Sequence, residues 1–345
     1  MLFAGLDISL RNTAFCVVDE LGAIVAEGST LSDPGALAAK LEGWRTDLAL
    51  VGLEACPLSE WIYAGLVDAG IEARCIETRH AQRFLSTRPN KTDRNDARGI
   101  AAMMRLGHFK PVHVKSKAAQ LQRAVLVGRA QIVSTMLQIE NTIRGLMRVQ
   151  GLKIGKVHRN RYSERVRELC QRAPLLLPAV EPLLEARDTM RAQQVKMDRA
   201  LVRTIREDPI CRLLMTVPGV GPITALAFKV TVDDPARFSS SKAVAAHLGL
   251  TPRVYQSGEI DRSGHISKIG DKLMRHLLTE AATALLTRSR KWCALKAWGT
   301  RLARKVGMAK AIVAVARKLA VTLHSMWLSN EPFRFGAADA APNAP

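Results

Sequence analysis

Cysteine is sparse and scattered in this chain of 345 residues, and no two cysteines form a Cys-x-x-Cys pair. Zinc ligation therefore has no support in the sequence, and we expect reduced thiols in a cytoplasmic protein. No run of eighteen apolar residues occurs, which argues against a membrane span. Aromatic residues make up only 5% of the chain, which argues weakly against a surface that stacks bases. The six cysteines are Cys16, Cys56, Cys75, Cys170, Cys211 and Cys293.

Acidic residues are too few to balance the basic ones. The chain has 51 Lys and Arg against 31 Asp and Glu, a formal net charge of +20. A surplus of this size implies a polyanionic partner, most often nucleic acid. Residues 1–110 hold 12 basic and 14 acidic side chains, whereas residues 111–345 hold 39 and 17. We therefore expect cations to bind the first part and phosphates to bind the rest, with an affinity that falls steeply with salt.

The first 110 residues alternate strand and helix patterns, which indicates an α/β domain. Asp33 and Pro34 have the residue types of a helix N-cap and first helical position. The predicted order is three strands, helix, strand, helix, strand, helix. Predicted strands cover residues 2–8, 13–18, 24–29, 48–53 and 72–76. One predicted helix covers 33–45, a second ends at 69, and residues 90–105 are predicted to be a loop that leads into a third.

The middle of the chain lacks strand patterns and predicts two long helices, over 118–147 and from Pro178 to Ile205. Apolar residues recur every seven positions in the second helix, which fits a coiled coil or an antiparallel hairpin; an ordinary helical bundle is an equal alternative. The row is Leu183, Met190 and Met197, with Leu201 four residues further on.

The remainder is predicted to be mostly helical, with one irregular loop over 251–270 and a disordered tail over 331–345. We therefore expect four regions: an α/β metal domain at 1–112, a helical or coiled-coil region at 113–206, a mostly helical domain at 207–330, and the tail.

Four carboxylates stand out in the first domain. Asp7 ends the first predicted strand and Glu54 ends the fourth, while Asp93 and Asp96 lie three apart at the start of a helix and so share a face. In an RNase-H-like sheet the first and fourth strands are neighbours, which would bring these acids together. Four acids in one space repel unless cations neutralise them, and Mg²⁺ prefers such oxygen ligands. Two Mg²⁺ ions could then support phosphoryl transfer.

Each acid also has a simpler interpretation. Asp93 or Asp96 could merely enrich a helix N-terminus, which favours negative charge. Glu54 could be a solvated charge in a turn. Two apolar strands that both end in an acid are harder to explain in this way. From these residues alone, metal catalysis and structural roles are both alternatives.

Two features of the C-terminal region predict contacts with phosphates. Gly219 and Gly221 lie in a Pro-Gly-Val-Gly turn between helices, where backbone N–H groups can approach phosphates in a helix-hairpin-helix manner; a plain tight turn is the alternative. Residues 288–318 contain basic side chains and no acidic one, which favours a phosphate-binding surface over a merely solvated face.

The loop from Gly249 to Arg275 is dense in glycine, serine and basic groups. Ser257 precedes Gly258, where the backbone is free to expose a side chain. A serine hydroxyl among cations can attack phosphorus and hold it as an ester, if a base or metal accepts its proton. Most serines are turn formers, and other serines compete for the role. The cations that could hold a phosphodiester are Arg253, Arg262, His265, Lys268 and Arg275, and the rival serines are Ser239, Ser240, Ser241, Ser263 and Ser267.

In this order and spacing the motifs resemble the DEDD-type transposases of bacterial insertion sequences, in the family numbered one-hundred-ten, which are bridge-RNA-guided serine recombinases. The resemblance spans about residues 1–330. The motifs that carry it are Gly5-Leu-Asp7, Leu53-Glu54-Ala, Lys91-Thr-Asp93 with Asp96-Ala-Arg98, Pro218-Gly-Val-Gly221, Gly249-Leu-Thr-Pro-Arg253 and Tyr255-Gln-Ser257-Gly258.

The resemblance implies a RuvC-like domain that holds Mg²⁺ on Asp7, Glu54, Asp93 and Asp96, a coiled coil used in dimer or tetramer assembly, and covalent attachment of Ser257 to DNA. It also implies donor and target DNA and a guide RNA as partners. Because the acids and the serine lie in different predicted domains, we expect an active site shared between subunits. A RuvC-like nuclease without a covalent intermediate and a non-enzymatic nucleic-acid-binding protein are the competing functions.

Overall fold

The structure, a computed structural model, describes residues 1–86, 90–258 and 260–336. The chain forms two compact units, Met1–Lys115 and Ser116–Pro345. The first has the mixed α/β structure that the sequence predicts for the N-terminal part of the chain. The second unites the two helical regions that the sequence separates at residue 206, because the start of the first long helix and the end of the second join the C-terminal core through Ala119, Leu126, Leu201 and Ile205.

Unit 1 is a five-stranded sheet with helices, in the strand order β3-β2-β1-β4-β5. Strand β1 is antiparallel to β2 and parallel to β4, so the first and fourth strands are neighbours, as predicted. This is the strand arrangement of the RNase-H-like sheet that the sequence predicts. Its elements are β1 (Leu2–Ile8), β2 (Asn12–Asp19), β3 (Ile24–Leu31), α1 (Pro34–Leu41), β4 (Leu48–Glu54), α2 (Ser59–Asp68), β5 (Ala73–Ile76), α3 (Thr78–Leu85) and α4 (Asp93–Leu106).

Helix α4 lies directly on the sheet because two glycines make room for it. Gly5 of β1 and Gly52 of β4 are partners in the parallel register. A Cβ atom at Gly5 would lie 2.2 Å from the backbone oxygen of Ala97, and one at Gly52 would lie 2.7 Å from the side chain of Met104. The backbone of α4 therefore packs against β1 at a distance that a side chain would prevent.

Unit 2 is a helical unit with one small β-hairpin. The predicted irregular loop over 251–270 is wrong: β6 and β7 pair there as an antiparallel ribbon. Its elements are α5 (Lys117–Val149), α6 (Tyr162–Cys170), α7 (Leu177–Glu207), α8 (Pro209–Leu214), α9 (Pro222–Val232), α10 (Ser241–His247), β6 (Pro252–Ser257), β7 (Ile260–Ile266), α11 (Lys272–Thr283), α12 (Ala294–Val306) and α13 (Met308–Ser329).

Helices α5 and α7 pack as an antiparallel hairpin, but the predicted apolar row is not its buried seam. Leu183, Met190 and Met197 are only partly buried. The buried residues repeat at Val180, Arg187, Gln194 and Leu201. Two of these are polar, and Arg187 can be buried because it donates hydrogen bonds to Glu140 Oε1 at 3.0 Å and Asp188 Oδ1 at 2.8 Å.

Helix α13 is long and apolar enough to cross a membrane by length and composition alone. It buries Val315, Leu319 and Leu323 in the core of unit 2, as a core helix does. After it, residues 331–336 contact the unit: Phe333 N–H donates to Thr216 Oγ1 at 3.0 Å, and Phe335 O accepts from Ala294 N–H at 3.0 Å. The predicted tail is therefore wrong for 331–336, and its remainder, 337–345, lies outside the described residues.

Candidate active site

Four acidic residues line one pocket at the edge of the sheet in unit 1. Leu6 and Leu53 are partners in the parallel register, so Asp7 and Glu54 follow at the same edge of neighbouring strands. Helix α4 begins at this edge and adds Asp93 and Asp96 from its first turn. The pocket has a volume of about 440 Å³ and also includes Lys91. The structure thus brings together the four acids that the sequence singles out.

Burial and mutual repulsion shape the charge of these acids. Burial, together with the negative charges of Asp93, Asp96 and Glu54, raises the pKa of Asp7 to about 6, while Lys91 opposes the shift. Burial also raises the pKa of Glu54, against a lowering hydrogen bond from Thr78. Raised pKa values among clustered acids mark a place where a cation would be stabilising.

The start of α4 is fixed by its cap. The Thr92 hydroxyl accepts a hydrogen bond from Asn95 N–H at 3.2 Å, as an N-cap side chain does. Asp93 and Asp96 therefore both lie in the first turn of α4, three residues apart and on the same face of the helix.

An ion pair ties the same helix to the far side of the sheet. Glu27 of β3 accepts hydrogen bonds from Arg98 Nε at 2.7 Å and Nη2 at 2.9 Å, and it also pairs with Arg94. The Glu27 side chain is only 15% exposed. Together, the cap and the ion pair hold the two acids of α4 in place.

The donor set fits a hard divalent cation, since four carboxylates supply the oxygen ligands that Mg²⁺ prefers. The side chains line the pocket without converging: among the described residues, no three His, Cys, Asp or Glu side chains are grouped closely enough to hold one metal ion. Binding of one shared ion would therefore require these carboxylates to move closer together.

In unit 2, Ser257 is the last residue of β6 and lies beside the turn of the ribbon. Every residue of β6 is exposed, so the ribbon stands away from the core. Gly258 follows with φ of +58°, a backbone conformation that favours glycine. Within the described part of the chain, the Ser257 hydroxyl has no hydrogen-bond partner, so it is free to meet a substrate.

Several rival serines are occupied by structural roles. Ser240 caps α10 by accepting from Ala243 N–H, Ser241 Oγ lies 2.9 Å from His324 Nδ1, and Ser267 Oγ accepts from Ile269 N–H. Ser239 is exposed, and the side chain of Ser263 lies outside the described atoms. As a candidate nucleophile, Ser257 is therefore favoured over Ser240, Ser241 and Ser267.

The predicted phosphate contacts divide into two groups. Arg262, His265 and Lys268 are exposed on the ribbon or just beyond it. Arg253 donates to Ser267 O and Arg275 donates to Leu248 O, each at 3.2 Å, so both support the base of the ribbon.

The two glycines of the Pro-Gly-Val-Gly turn also differ. A Cβ at Gly219 would lie 2.5 Å from Ala281 O, so α11 packs against that face of the turn, whereas the space at Gly221 is open. The turn does join helices α8 and α9, as predicted, and Gly221 is the glycine that a phosphate could approach.

Sequence reasoning missed part of the wall of the acid pocket. Gln82 and Leu85 line it from α3, and Ser9 and Ser86 complete the rim. Helix α3 has one fully buried residue, Ala81, so its apolar pattern is faint. The pair Phe84 and Leu85 after Ala81 is the signal that could have revealed it.

Comparisons with known proteins find transposases similar to this chain. A profile described as "Transposase" matches residues 4–150, and one described as "Transposase IS116/IS110/IS902 family" matches residues 211–297. The transposase for insertion sequence element IS1111A of Coxiella burnetii is 29% identical over 96% of this chain and 91% of its own length. A probable family 20 transposase of Pseudomonas aeruginosa is 30% identical over 69% and 71%.

Among solved structures, Thermus thermophilus RuvC matches over 32% of this chain and all of its own, with 17% identity and a TM-score of 0.26. The two matched ranges of this chain contain the four acids and Ser257. The chain belongs to the IS110 family of DEDD transposases.

Proposed function

We propose that this protein cuts and rejoins the DNA of its own insertion sequence through a covalent ester between Ser257 and a DNA phosphate. The observation that carries the proposal is the Ser257 hydroxyl, which has no hydrogen-bond partner among the described residues and lies on an exposed ribbon with Arg262, His265 and Lys268 nearby in the sequence. A two-stranded ribbon of this kind can enter a groove of duplex DNA. The DNA-cutting activity itself accords with the family.

Each step of the proposed reaction exchanges one ester bond at phosphorus for another. The Ser257 oxygen attacks phosphorus, its proton leaves, the bond from phosphorus to one DNA oxygen breaks, and that oxygen departs as a DNA hydroxyl. In the second step a hydroxyl of another strand attacks the serine ester, which forms a new DNA linkage and frees Ser257. The exposed cations beside Ser257 would hold the phosphate and oppose its developing negative charge.

Asp7, Glu54, Asp93 and Asp96 would hold Mg²⁺. When bound, Mg²⁺ supplies activation of a nucleophile and stabilisation of a leaving oxygen in phosphoryl transfer. The residues of the chain contribute the oxygen ligands, and the Glu27–Arg98 ion pair keeps α4 in register with β1 and β4. Lys91, on the rim of the same pocket, would contact the phosphate backbone.

The partners follow from charge and from the resemblance. Donor and target DNA would bind through phosphates on the basic part of the chain, which acts in the cytoplasm. A guide RNA and a homo-oligomeric assembly, dimer or tetramer, are proposed on the resemblance to the family. The partly buried row Leu183, Met190 and Met197 offers the apolar surface that such an assembly would cover.

A covalent-adduct assay tests the proposal. Purified protein is incubated with element DNA, guide RNA and Mg²⁺, denatured, and examined for protein that migrates with labelled DNA. We expect an adduct with the wild type and none with Ser257→Ala or in excess chelator. Ser239→Ala, an exposed serine on another loop, is the matched control and should keep the adduct. DNA cut to hydrolysed ends without an adduct would replace the proposal with a RuvC-like nuclease.

A further inference from the structure

We propose that the far end of the α5–α7 hairpin is a second binding site for the backbone of duplex DNA, about one helical turn from the base of the serine ribbon. We call this end the hairpin tip and define it as residues 144–183. The proposal extends the proposed function, because the DNA would be the same duplex that the ribbon engages.

The charge of the hairpin is concentrated at its two ends. Ion pairs of Glu140 with Arg187 and of Arg129 with Asp198 show which residues of α5 and α7 lie opposite each other. By this register, residues 130–143 of α5 face 184–197 of α7, and this middle section has three basic and three acidic side chains. The hairpin tip has nine basic and three acidic side chains.

The acids of the hairpin tip are already neutralised by arginines. Its three ion pairs are Arg161–Glu164, Arg165–Glu168 and Arg167–Glu181. The six remaining cations form no ion pair within the described chain, so their charge is available to a partner. They are Arg144, Arg148, Lys153, Lys156, Arg159 and Arg172.

Three of these cations surround one concave pocket. Arg144, Arg148 and Lys153 line a pocket of about 320 Å³, large enough for a phosphate group, around Leu152, Ile154 and Gly155. Arg144 is held there by stacking over the Tyr162 ring, 5.4 Å from its centroid, and by a hydrogen bond to Gly155 O at 3.4 Å. A positioned arginine loses less side-chain entropy when it binds an anion.

The hairpin tip is a rigid platform with its own core, which includes Met147, Tyr162, Val166 and Val180. The buried Arg187 strengthens it by donating to Arg159 O at 2.8 Å. Cations on a rigid element bind at a fixed distance from the rest of unit 2. That distance can therefore be compared with the repeat of DNA.

Helix α5 sets the distance between the hairpin tip and the ribbon base. Arg123 near the start of α5 pairs with Asp271, which caps α11 just after the ribbon. Arg148 lies 25 residues further along the same helix, or about 38 Å at 1.5 Å per residue. One turn of B-DNA is about 34–36 Å.

Two basic ends that flank a neutral middle favour duplex DNA over a single strand. A duplex presents the same face once per turn, and so it can touch the ribbon base and the hairpin tip while leaving the middle free. A single strand is normally followed by a continuous basic groove. The spacing therefore points to duplex DNA that lies along α5.

A salt titration with two matched double variants tests the inference. The Arg148→Ala/Lys153→Ala protein loses two unpaired cations of the pocket, and the Arg161→Ala/Arg165→Ala protein loses two paired cations of the same hairpin tip. Binding to a labelled duplex of about 30 base pairs is measured without metal, so that no strand is cut. For the first variant we expect the slope of log K against log salt to become shallower by about 2, with weaker binding at every salt concentration. The control should keep the wild-type slope.

Hydroxyl-radical footprinting on the same duplex supplies the position. The wild type and the control should protect two stretches of backbone about one turn apart, and the Arg148→Ala/Lys153→Ala protein should lose one of them. Equal slopes for the two variants, or a loss of affinity confined to guide RNA, would overturn the inference. Because no step requires cleavage, the outcome is independent of whether Ser257 forms an adduct. Thermal unfolding checks that both variants fold.

Discussion

Gly5 and Gly52 stand opposite each other on β1 and β4, and together they form the bare surface on which α4 lies. Both glycines lie two residues before an acid of the pocket, Asp7 and Glu54 respectively. The distance from the sheet to α4 thus sets how far Asp93 and Asp96 are from the other two acids. Backbone packing in the core of unit 1 and the geometry of the acid pocket are therefore one structural feature.

Gly5→Ala should destabilise unit 1 and weaken its cation site. The new Cβ would lie 2.2 Å from Ala97 O and 2.3 Å from Ala101 N, both backbone atoms, so α4 must shift. We expect a loss of about 1–3 kcal/mol in the free energy of unfolding, measured by denaturant titration. Gly43→Ala is the control, because no atom lies within 4 Å of a Cβ at that position. An unchanged midpoint in Gly5→Ala would refute the close packing.

The charge of Asp7 should make the stability of the metal-free protein depend on pH. Its pKa is raised from 3.8 to about 6 in the folded state, so its contribution is fully favourable below pH 4 and is lost as the pH rises through 6. Asp7→Asn removes this penalty. The variant should match the wild type at pH 4 and exceed it by about 1–2 kcal/mol at pH 7.5 in chelator, by chemical denaturation.

Adding Mg²⁺ should reverse that order. Ligand binding to the folded state stabilises it, and Asp7→Asn lacks one of the four carboxylates. At pH 7.5 the melting temperature of the wild type should rise with Mg²⁺ concentration, and that of Asp7→Asn should rise less. An equal rise in the two proteins would show that Asp7 is not a ligand.

Much of unit 1 follows from its sequence. Runs of apolar residues that end in an acid located β1 and β4 within a residue, and the Asp-Pro pair located the start of α1. These patterns are strong because the strands are buried on both faces and the caps have specific residue types. The four acids could be grouped for the same reason, since strand ends are visible in the sequence.

The ribbon and the hairpin were less visible for a physical reason. Residues 252–257 are exposed on both faces, so β6 lacks the alternation that identifies a half-buried strand. In α7 the seam residue Arg187 is buried through hydrogen bonds and ion pairing rather than through apolarity. Hydrophobic periodicity therefore predicts the neighbouring row of apolar residues, which includes Met190, as the buried seam.

Glu27 should act as a positioning residue for the acids of α4. Glu27→Gln keeps the size of the side chain but removes the charge that pairs with Arg98 and Arg94. We expect a loss of about 1–2 kcal/mol in stability and a higher Mg²⁺ concentration for half-maximal adduct formation. The control Glu42→Gln removes an exposed pair with Arg45 and should change neither quantity. A purely structural Glu27 would lower stability and leave the Mg²⁺ requirement unchanged.

The last prediction concerns the division of labour between Asp93 and Ser257, which belong to different units of the chain. A serine hydroxyl must lose its proton as it attacks, and His265, the nearest histidine in sequence, is exposed among the cations that we propose to hold the phosphate. The acids of unit 1 are the proposed source of that activation. If two subunits each contribute one half, Asp93→Ala and Ser257→Ala proteins should be inactive alone and regain adduct formation when mixed. Copurification of two different tags would verify that mixed oligomers form. A mixture that forms oligomers and stays inactive would show that each subunit needs both of its own residues, and an adduct in Ser257→Ala alone would move the nucleophile to Ser239 or Ser263.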